Sequence, residues 1–293
     1  MIIDAHVHVG NLLTNEDSTK YLSESFDYSK DNVRTSCTVK ELSEHIDKLE
    51  AYDKRFGGEG KSLVAAQTIA PNITTLDGVL AKEIDDRIIV FGSIDFNGNI
   101  TEQLENTPFD RIHGLKLHPI IQQINYNDKR VMEVVEAYSY MDKPILFHAG
   151  FHDYNTGLTI KEIENFVDPQ KGSELIRSFR NTNFIIGHAG LGDYLSWINA
   201  TRGLRNVYVD TSMQRKEIIK DLPFIYGENN VLYGSDFPCD NAEWAMFYIS
   251  KCFGPDSWTR KATFKEGATV YEQYPLLEKV LYKNAAKVLK IKR

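Results

Sequence analysis

The feature that most constrains the fold of this chain is a series of short apolar runs that recurs along its whole length. Eight runs rich in Val, Ile, Leu and Phe lie at residues 1–9, 62–70, 87–96, 112–119, 144–150, 183–190, 206–212 and 230–238. Most of them are nearly continuous rather than alternating, which is typical of parallel strands that are buried on both faces. We therefore predict eight buried strands.

The segments between these runs carry helical spacing. Thr38 and Glu41 have the spacing of a capping box, and apolar residues then recur on one helical face at Val39, Leu42, Ile46 and Leu49. Strands that alternate with helices predict a parallel sheet, and eight such units favour closure into a (β/α)₈ barrel over an open, doubly wound sheet. Because such barrels routinely use about 250 residues as one domain, we predict a single α/β domain, a TIM barrel, over residues 1–293.

Three connections are too long for the simple loops that join a strand to the next helix. They cover residues 10–37, 151–169 and 238–274, and they follow the first, fifth and eighth strands. Loops that follow barrel strands lie at the C-terminal face, where long loops usually shape a substrate pocket or a lid. We expect these three connections to set the identity of the substrate, which the sequence itself does not reveal.

Charge and cysteine content limit the classes of partner. The net charge of −7 argues against nucleic acid or an anionic membrane surface as a partner. Cys37, Cys239 and Cys252 are widely spaced and form no CxxC pair, which favours a reducing compartment over a disulfide framework. No apolar run approaches the roughly 20 residues of a membrane span. We therefore expect a cytoplasmic protein with a small-molecule substrate, and a homodimer as the commonest assembly.

Residues that can bind a metal fall at the ends of the apolar runs. His6 and His8 are two residues apart near the end of the first strand, so their side chains share a face and can serve as ligands for a divalent metal. His148, His188 and Asp236 end the fifth, sixth and eighth runs. One such residue could simply bond to a loop backbone, but five at strand ends favour a common site, because catalytic residues of barrels lie there.

Lys116 and His118 end the fourth run and should also face the same way. A lysine inside a barrel pays a desolvation cost unless a carboxylate, a substrate anion or a modification compensates it. Asp210 ends the seventh run and could orient one of the imidazoles as a hydrogen-bond partner.

Several other polar residues are weaker candidates for the site. His113 is out of phase with Lys116 and should face the helices or the rim, and His45 is explained by packing of its helix. His152 and Asp153 could touch substrate, although a loop role is simpler. Cys239 has no partner in the sequence pattern that would make it a thiolate nucleophile.

Five motifs occur in order along nearly the whole chain. They are DAHVH at 4–8, KLHP at 116–119, PILFHAG at 144–150, FIIGHAG at 184–190 and VLYGSDFP at 231–238, followed by KNAAKVL at 283–289. This set resembles the amidohydrolase superfamily, and it looks most like the amidohydrolase-related (amidohydrolase 2) branch of metal-dependent TIM-barrel hydrolases. No motif is specific alone, but the set is.

The resemblance implies a role for each motif residue. His6, His8, His148 and Asp236 would bind a divalent ion, often zinc, and Asp236 would also accept a proton from the water on that ion. His188 would contact the substrate, act as a general acid or base, or complete a second metal position. One metal is the usual state in this branch, with Lys116 and His118 near the substrate, whereas a carboxylated Lys116 would bridge two metals.

Three functions remain open at this point. The first is metal-dependent hydrolysis of a small carbonyl compound such as a lactone, an amide or an ester. The second is decarboxylation or hydration, because the same branch contains lyases with an almost identical set of ligands. In a decarboxylase or hydratase, Lys116 could hold a substrate carboxylate. Arg34 or Arg55 could do the same if their loops fold inward. The third is a non-enzymatic binding protein, or an enzyme that keeps the polar cluster but uses no metal.

Overall fold

The barrel strands have the order that the sequence predicts. The computed structural model describes residues 1–12, 35–151, 158–255 and 266–291, and within them eight parallel strands pair in chain order. We number these strands β1 Ile2–His8, β2 Ser62–Gln67, β3 Ile88–Gly92, β4 Gly114–Leu117, β5 Ile145–Phe147, β6 Phe184–Ile186, β7 Val207–Asp210 and β8 Val231–Leu232. The observed strands are shorter than the apolar runs that predict them, so several polar residues lie just beyond a strand rather than in it.

The last strand returns to the first and closes the barrel. Val7 forms a parallel bridge with Phe237, and the backbone N–H of Ala5 donates to the carbonyl of Tyr233 at 2.8 Å. The (β/α)₈ architecture is therefore confirmed. The closing contacts lie directly beside the HxH sequence of β1 and the Asp236 segment after β8.

Helices surround the strands. Within the described residues they are α1 Val39–Arg55, α2 Thr75–Ile84, α3 Ile100–Glu105, α4 Pro119–Gln122, α5 Lys129–Tyr140, α6 Ile160–Phe166, α7 Pro169–Ser178, α8 Tyr194–Thr201, α9 Lys216–Tyr226, α10 Ala242–Phe253, α11 Val270–Gln273, α12 Pro275–Glu278 and α13 Asn284–Val288, with a 3₁₀ turn at Gly187–Ala189 and a π-helical turn at Lys279–Lys283. The predicted capping box is present, since the Thr38 side chain accepts from the Glu41 N–H. None of these helices is both long enough and apolar enough to cross a membrane.

The long connections contain secondary structure of their own. Two short antiparallel strands, Gly10–Asn11 and Ser36–Cys37, pair at the base of the connection after β1. Helix α6 occupies part of the connection after β5, where Thr159 caps its first turn. Helices α10 and α11 lie in the connection after β8. The described parts of these connections are thus largely built from short elements.

A bulge in β1 determines which of its side chains face the barrel interior. The register between β1 and β2 shifts between Asp4 and Val7. Before the bulge, Ile3 packs in the interior cluster with Leu146 and Leu232. After the bulge, His6 points into the barrel, although its position relative to Ile3 would place it on the outer face of a regular strand. The bulge therefore turns the two histidines of β1 towards the site.

Candidate functional site

Polar side chains from four strands meet inside the C-terminal mouth of the barrel. These residues are His6 in β1, Lys116 in β4, His188 in the turn after β6 and Asp236 in the segment after β8. All four side chains are buried. His6 Nε2 lies 2.8 Å from Lys116 Nζ and 3.4 Å from Asp236 Oδ1. The structure thus brings together residues that the sequence predicts to share a site.

Asp210 fixes the orientation of the His6 ring. Its Oδ2 lies 2.8 Å from His6 Nδ1. Because a carboxylate only accepts, Nδ1 carries the proton and donates, which leaves the lone pair on Nε2 directed at the centre of the cluster. This confirms the prediction that Asp210, at the end of β7, orients an imidazole.

Asp210 also controls His188, through Ser212. The Ser212 hydroxyl donates to Asp210 Oδ1, so its single proton is used there. His188 Nδ1, 2.8 Å from Ser212 Oγ, must then be the donor, and Nε2 carries the lone pair. The backbone N–H of His188 donates to Asp210 Oδ1 at 3.0 Å. One carboxylate therefore sets the tautomer of both imidazoles.

Asp236 is held between the two histidines of β1. Its Oδ1 lies 3.1 Å from His8 Nε2, and its backbone N–H donates to the carbonyl of His6 at 2.8 Å. His8 is 4% exposed, and its Nδ1 is buried without a hydrogen-bond partner among the described residues. Such an atom is costly unless something binds it.

Burial determines the charge states in the cluster. It lowers the pKa of His6, His8 and His188, which are therefore neutral at pH 7 and keep lone pairs for a ligand. Burial lowers the pKa of Lys116 to about 8. Burial acts to raise the pKa of Asp236, but its hydrogen bond with His8 and the attraction of the neighbouring basic groups outweigh this, and the pKa is lowered.

The donor set fits a divalent metal ion. Ligand atoms of His6, His188 and Asp236 lie within 4.8 Å of one another, and a second group of the same compactness consists of His8, Asp236 and Cys239. Neutral imidazoles whose second nitrogen is held by a carboxylate or hydroxyl, together with a charged carboxylate, are typical ligands of zinc and related ions.

Two predicted site residues lie one contact further away. His148 Nδ1 is 3.1 Å from His188 Nε2, and the His148 ring stacks on His118 at 4.2 Å between ring centroids. His118 also accepts from the Ile121 N–H and so caps α4. His188, rather than the predicted His148, is therefore the histidine that lies in one compact group with His6 and Asp236. The assignments of His148 to the metal and His118 to the substrate stay predictions.

Other candidates fall elsewhere. Arg55 is an exposed residue at the last position of α1, where the chain leads into the N-terminal end of β2. It therefore lies at the opposite end of the barrel, and the suggestion that Arg55 holds a substrate carboxylate is wrong. Arg34, His152 and Asp153 lie outside the described residues.

The sequence analysis missed a buried pair at the closing joint of the barrel. His45 Nε2, on α1, lies 2.9 Å from Asp4 Oδ2, and the His45 ring stacks on Phe237. Asp4 Oδ1 accepts from the backbone N–H groups of Ser235 at 2.9 Å and His6 at 3.3 Å. The sequence does contain one indication of this pair. Asp4 lies within an apolar strand, and a buried carboxylate requires a hydrogen-bond partner.

A cavity of about 520 Å³ lies beside the cluster, between α1 and the segment after β8. Its lining includes His45, Tyr52, Phe237 and Cys239. Of the residues in the two compact groups of possible metal ligands, Cys239 is the one that lines this cavity. The cavity therefore borders the chain segment that directly follows Asp236.

Comparison with known proteins identifies the family. Residues 3–291 match the family model described as amidohydrolase. The chain therefore belongs to the amidohydrolase family, as the motif resemblance predicts. Among curated proteins, none matches the sequence significantly.

Solved structures share the fold over the whole chain. They include a probable 2-pyrone-4,6-dicarboxylic acid hydrolase from Acinetobacter baumannii (15% identity, TM-score 0.61), a 5-carboxyvanillate decarboxylase from Sphingomonas paucimobilis (14%, 0.60) and an uncharacterized TIM-barrel protein from Bordetella bronchiseptica (12%, 0.64). Each alignment covers 99% of this chain and 99% of the other. At these identities the likeness shows the fold alone.

Proposed function

We propose that this protein is a metal-dependent hydrolase of a small carbonyl compound such as a lactone, an amide or an ester. The observation that carries the proposal is the meeting of His6, His188 and Asp236, whose ligand atoms lie within 4.8 Å of one another at the barrel mouth. Family membership and the hydrolase from Acinetobacter baumannii support the same class of reaction.

In this proposal His6, His188 and Asp236 hold a divalent ion, zinc first, with His8 and His148 as further candidate ligands. Such an ion, when bound, supplies Lewis acidity, which lowers the pKa of water and polarises a carbonyl group. Asp236 is a charged carboxylate at neutral pH, since its pKa is lowered, and can take the proton that water gives up. Asp210 keeps the imidazole of His6 directly, and that of His188 through Ser212, in the tautomer that offers Nε2.

The positive charge of Lys116 favours an anionic substrate. Its ammonium group is buried and now donates to the Nε2 lone pair of His6. If a metal uses that lone pair, Lys116 becomes available for a carboxylate or a developing oxyanion of the substrate. We therefore propose that the preferred substrate carries a carboxylate near its scissile bond.

The second candidate is a metal-dependent decarboxylase or hydratase. The same Lys116 ammonium group, buried at a barrel mouth, could hold the carboxylate that leaves as carbon dioxide. The decarboxylase from Sphingomonas paucimobilis shares the fold. Hydrolysis ranks first because the cluster contains a charged proton acceptor, Asp236, beside the candidate metal ligands.

The test uses protein freed of metal by a chelator and then reloaded with Zn²⁺ or Mn²⁺. It is incubated with a pyrone dicarboxylate lactone and, separately, with a carboxylated aromatic acid, and both ring opening and carbon dioxide are measured. We expect metal-dependent ring opening and a loss in Asp236→Asn of about 10²- to 10⁴-fold in kcat. Asp193→Asn, on an exposed carboxylate, is the control.

Two results would count against hydrolysis. An Asp236→Asn variant with unchanged rate would reject the role of this carboxylate. Carbon dioxide from the aromatic acid, without any ring opening of the lactone, would favour the second candidate.

A further inference from the structure

A cysteine that the proposed function does not use lies beside the cluster. Cys239 follows Asp236 by three residues, and the backbone N–H of Asp240 donates to the Asp236 carbonyl at 3.1 Å. This single turn carries the chain back over β8. As a result, Cys239 Sγ lies with ligand atoms of His8 and Asp236, all within 4.8 Å of one another.

The environment of Cys239 differs from that of the other two cysteines. All three are free thiols. Cys37 Sγ donates to the carbonyl of Thr38 at 3.2 Å, and Cys252 Sγ donates to that of Lys216 at 3.3 Å. Among the hydrogen bonds of the described residues, none involves the Cys239 thiol. Its neighbours are an imidazole and a carboxylate, which are both metal-binding groups.

His8 is the second member of this group, and its ring turns Nε2 towards Asp236. Its ring is almost wholly buried, and Nε2 lies 3.1 Å from Asp236 Oδ1, so this nitrogen is the one that can share a ligand with Asp236 and Cys239. His8, Asp236 and Cys239 together offer nitrogen, oxygen and sulfur donors. Cys239 also lines the adjoining cavity of about 520 Å³.

We propose that Cys239 is a metal ligand, and that its thiolate binds a thiophilic divalent ion such as Zn²⁺ or Co²⁺ together with His8 and Asp236. A sulfur–metal bond forms, the thiol proton leaves to solvent, and no oxidant is required. Thiolate donors select Zn²⁺ and similar ions over Mg²⁺ and Mn²⁺. Cys239 thus determines which metal the protein prefers. The inference extends the proposed function, because it shares Asp236 with the catalytic cluster.

The test loads the full-length protein with Co²⁺ and records its near-ultraviolet absorption, where a thiolate bound to cobalt gives a charge-transfer band. We expect the band in the native protein and in Cys252→Ser, and we expect it to be lost in Cys239→Ser. We also expect Cys239→Ser to weaken Zn²⁺ binding by at least about tenfold, measured by competition with a chromophoric chelator. Mn²⁺ binding should change far less.

Two outcomes would overturn the proposal. One is cobalt-loaded native protein, with its metal content measured, that lacks the sulfur band. The other is a band that persists in Cys239→Ser. Near-ultraviolet circular dichroism of Cys239→Ser and Cys239→Ala verifies that both variants fold. The absorption band does not depend on turnover. If the cobalt-loaded protein shows the band but hydrolyses none of the tested substrates, the role of Cys239 as a ligand is supported and the proposed function is rejected.

Discussion

The imidazole of His45 lies 2.9 Å from the buried carboxylate of Asp4, and this pair joins α1 to the seam where the barrel closes. The other oxygen of Asp4 accepts from the backbone N–H groups of His6 on β1 and Ser235 beside Asp236. A helix outside the barrel thus helps to fix the backbone of both segments that carry the candidate ligands. Its effect on the site is positional, since no hydrogen bond among the described residues joins His45 to His6 or Asp236.

Replacing His45 tests this connection. We expect His45→Phe to lower the free energy of unfolding by about 1–3 kcal/mol, because the fully buried Asp4 loses a charge-assisted partner. Urea denaturation measures the change. His45→Gln keeps a side-chain donor and should recover part of the loss. A His45→Phe protein as stable as the native one would show that Asp4 does not depend on this helix.

Asp210 should control metal affinity without being a ligand. Asp210→Asn keeps the shape of the side chain but removes the charge that holds the Nδ1–H of His6 and, through Ser212, of His188. We expect Zn²⁺ binding to weaken by about 10- to 100-fold, measured by chelator competition. Asp193→Asn is the matched control. Equal affinity of Asp210→Asn and native protein would contradict the tautomer assignment.

Gly150 should tolerate no side chain. Its φ is +104°, and an added Cβ would lie 2.0 Å from the carbonyl oxygen of Leu191. Gly203 also has a positive φ, +83°, but nothing lies within 4 Å of its Cβ position. We expect Gly150→Ala to cost about 3 kcal/mol of unfolding free energy and Gly203→Ala only about 1 kcal/mol. Equal losses in urea denaturation would mean that Leu191 moves aside.

His113 should make the fold sensitive to mild acid. Burial, with smaller contributions from Lys143 and Lys82, lowers its pKa from 6.5 to about 4. Below pH 6.5 His113 therefore becomes protonated in the unfolded chain but stays neutral in the folded one. The contribution of neutral His113 to the free energy of unfolding is thus complete above pH 6.5 and decreases as the pH falls towards 4. Urea midpoints at pH 7 and pH 5 should differ less in His113→Leu than in the native protein. An unchanged difference would contradict the prediction.

Much of the fold could be predicted because its signals are local. Most strands lie in nearly continuous apolar runs, and helical spacing of apolar residues separates them, so the number and alternation of these segments predict the barrel. The sequence predicts that His6 and His8 share a face, but it does not by itself show that this face is the barrel interior. The bulge between Asp4 and Val7 is visible only in the register of β1 against β2.

The missed features depend on contacts between distant segments. His45 lies on the apolar face of α1, where packing alone would explain it, and only the tertiary structure places it against Asp4. Cys239 reaches His8 through the turn after β8. The choice of His188 over His148 for the compact group depends on the backbone after β6, where His188 has a φ of +55°. Nothing in the FIIGHAG motif distinguishes this left-handed histidine.

His188 and Asp236 share that conformation, with φ values of +55° and +58°. Left-handed geometry disfavours any residue with a Cβ by about 1–2 kcal/mol, whereas glycine adopts it freely. A glycine at either position would relieve this backbone strain, but it would also remove a buried side chain that hydrogen-bonds to Ser212 or to His8. Because emptying a buried site costs more than the strain does, the barrel is expected to lose stability as well as candidate ligands if either side chain is removed.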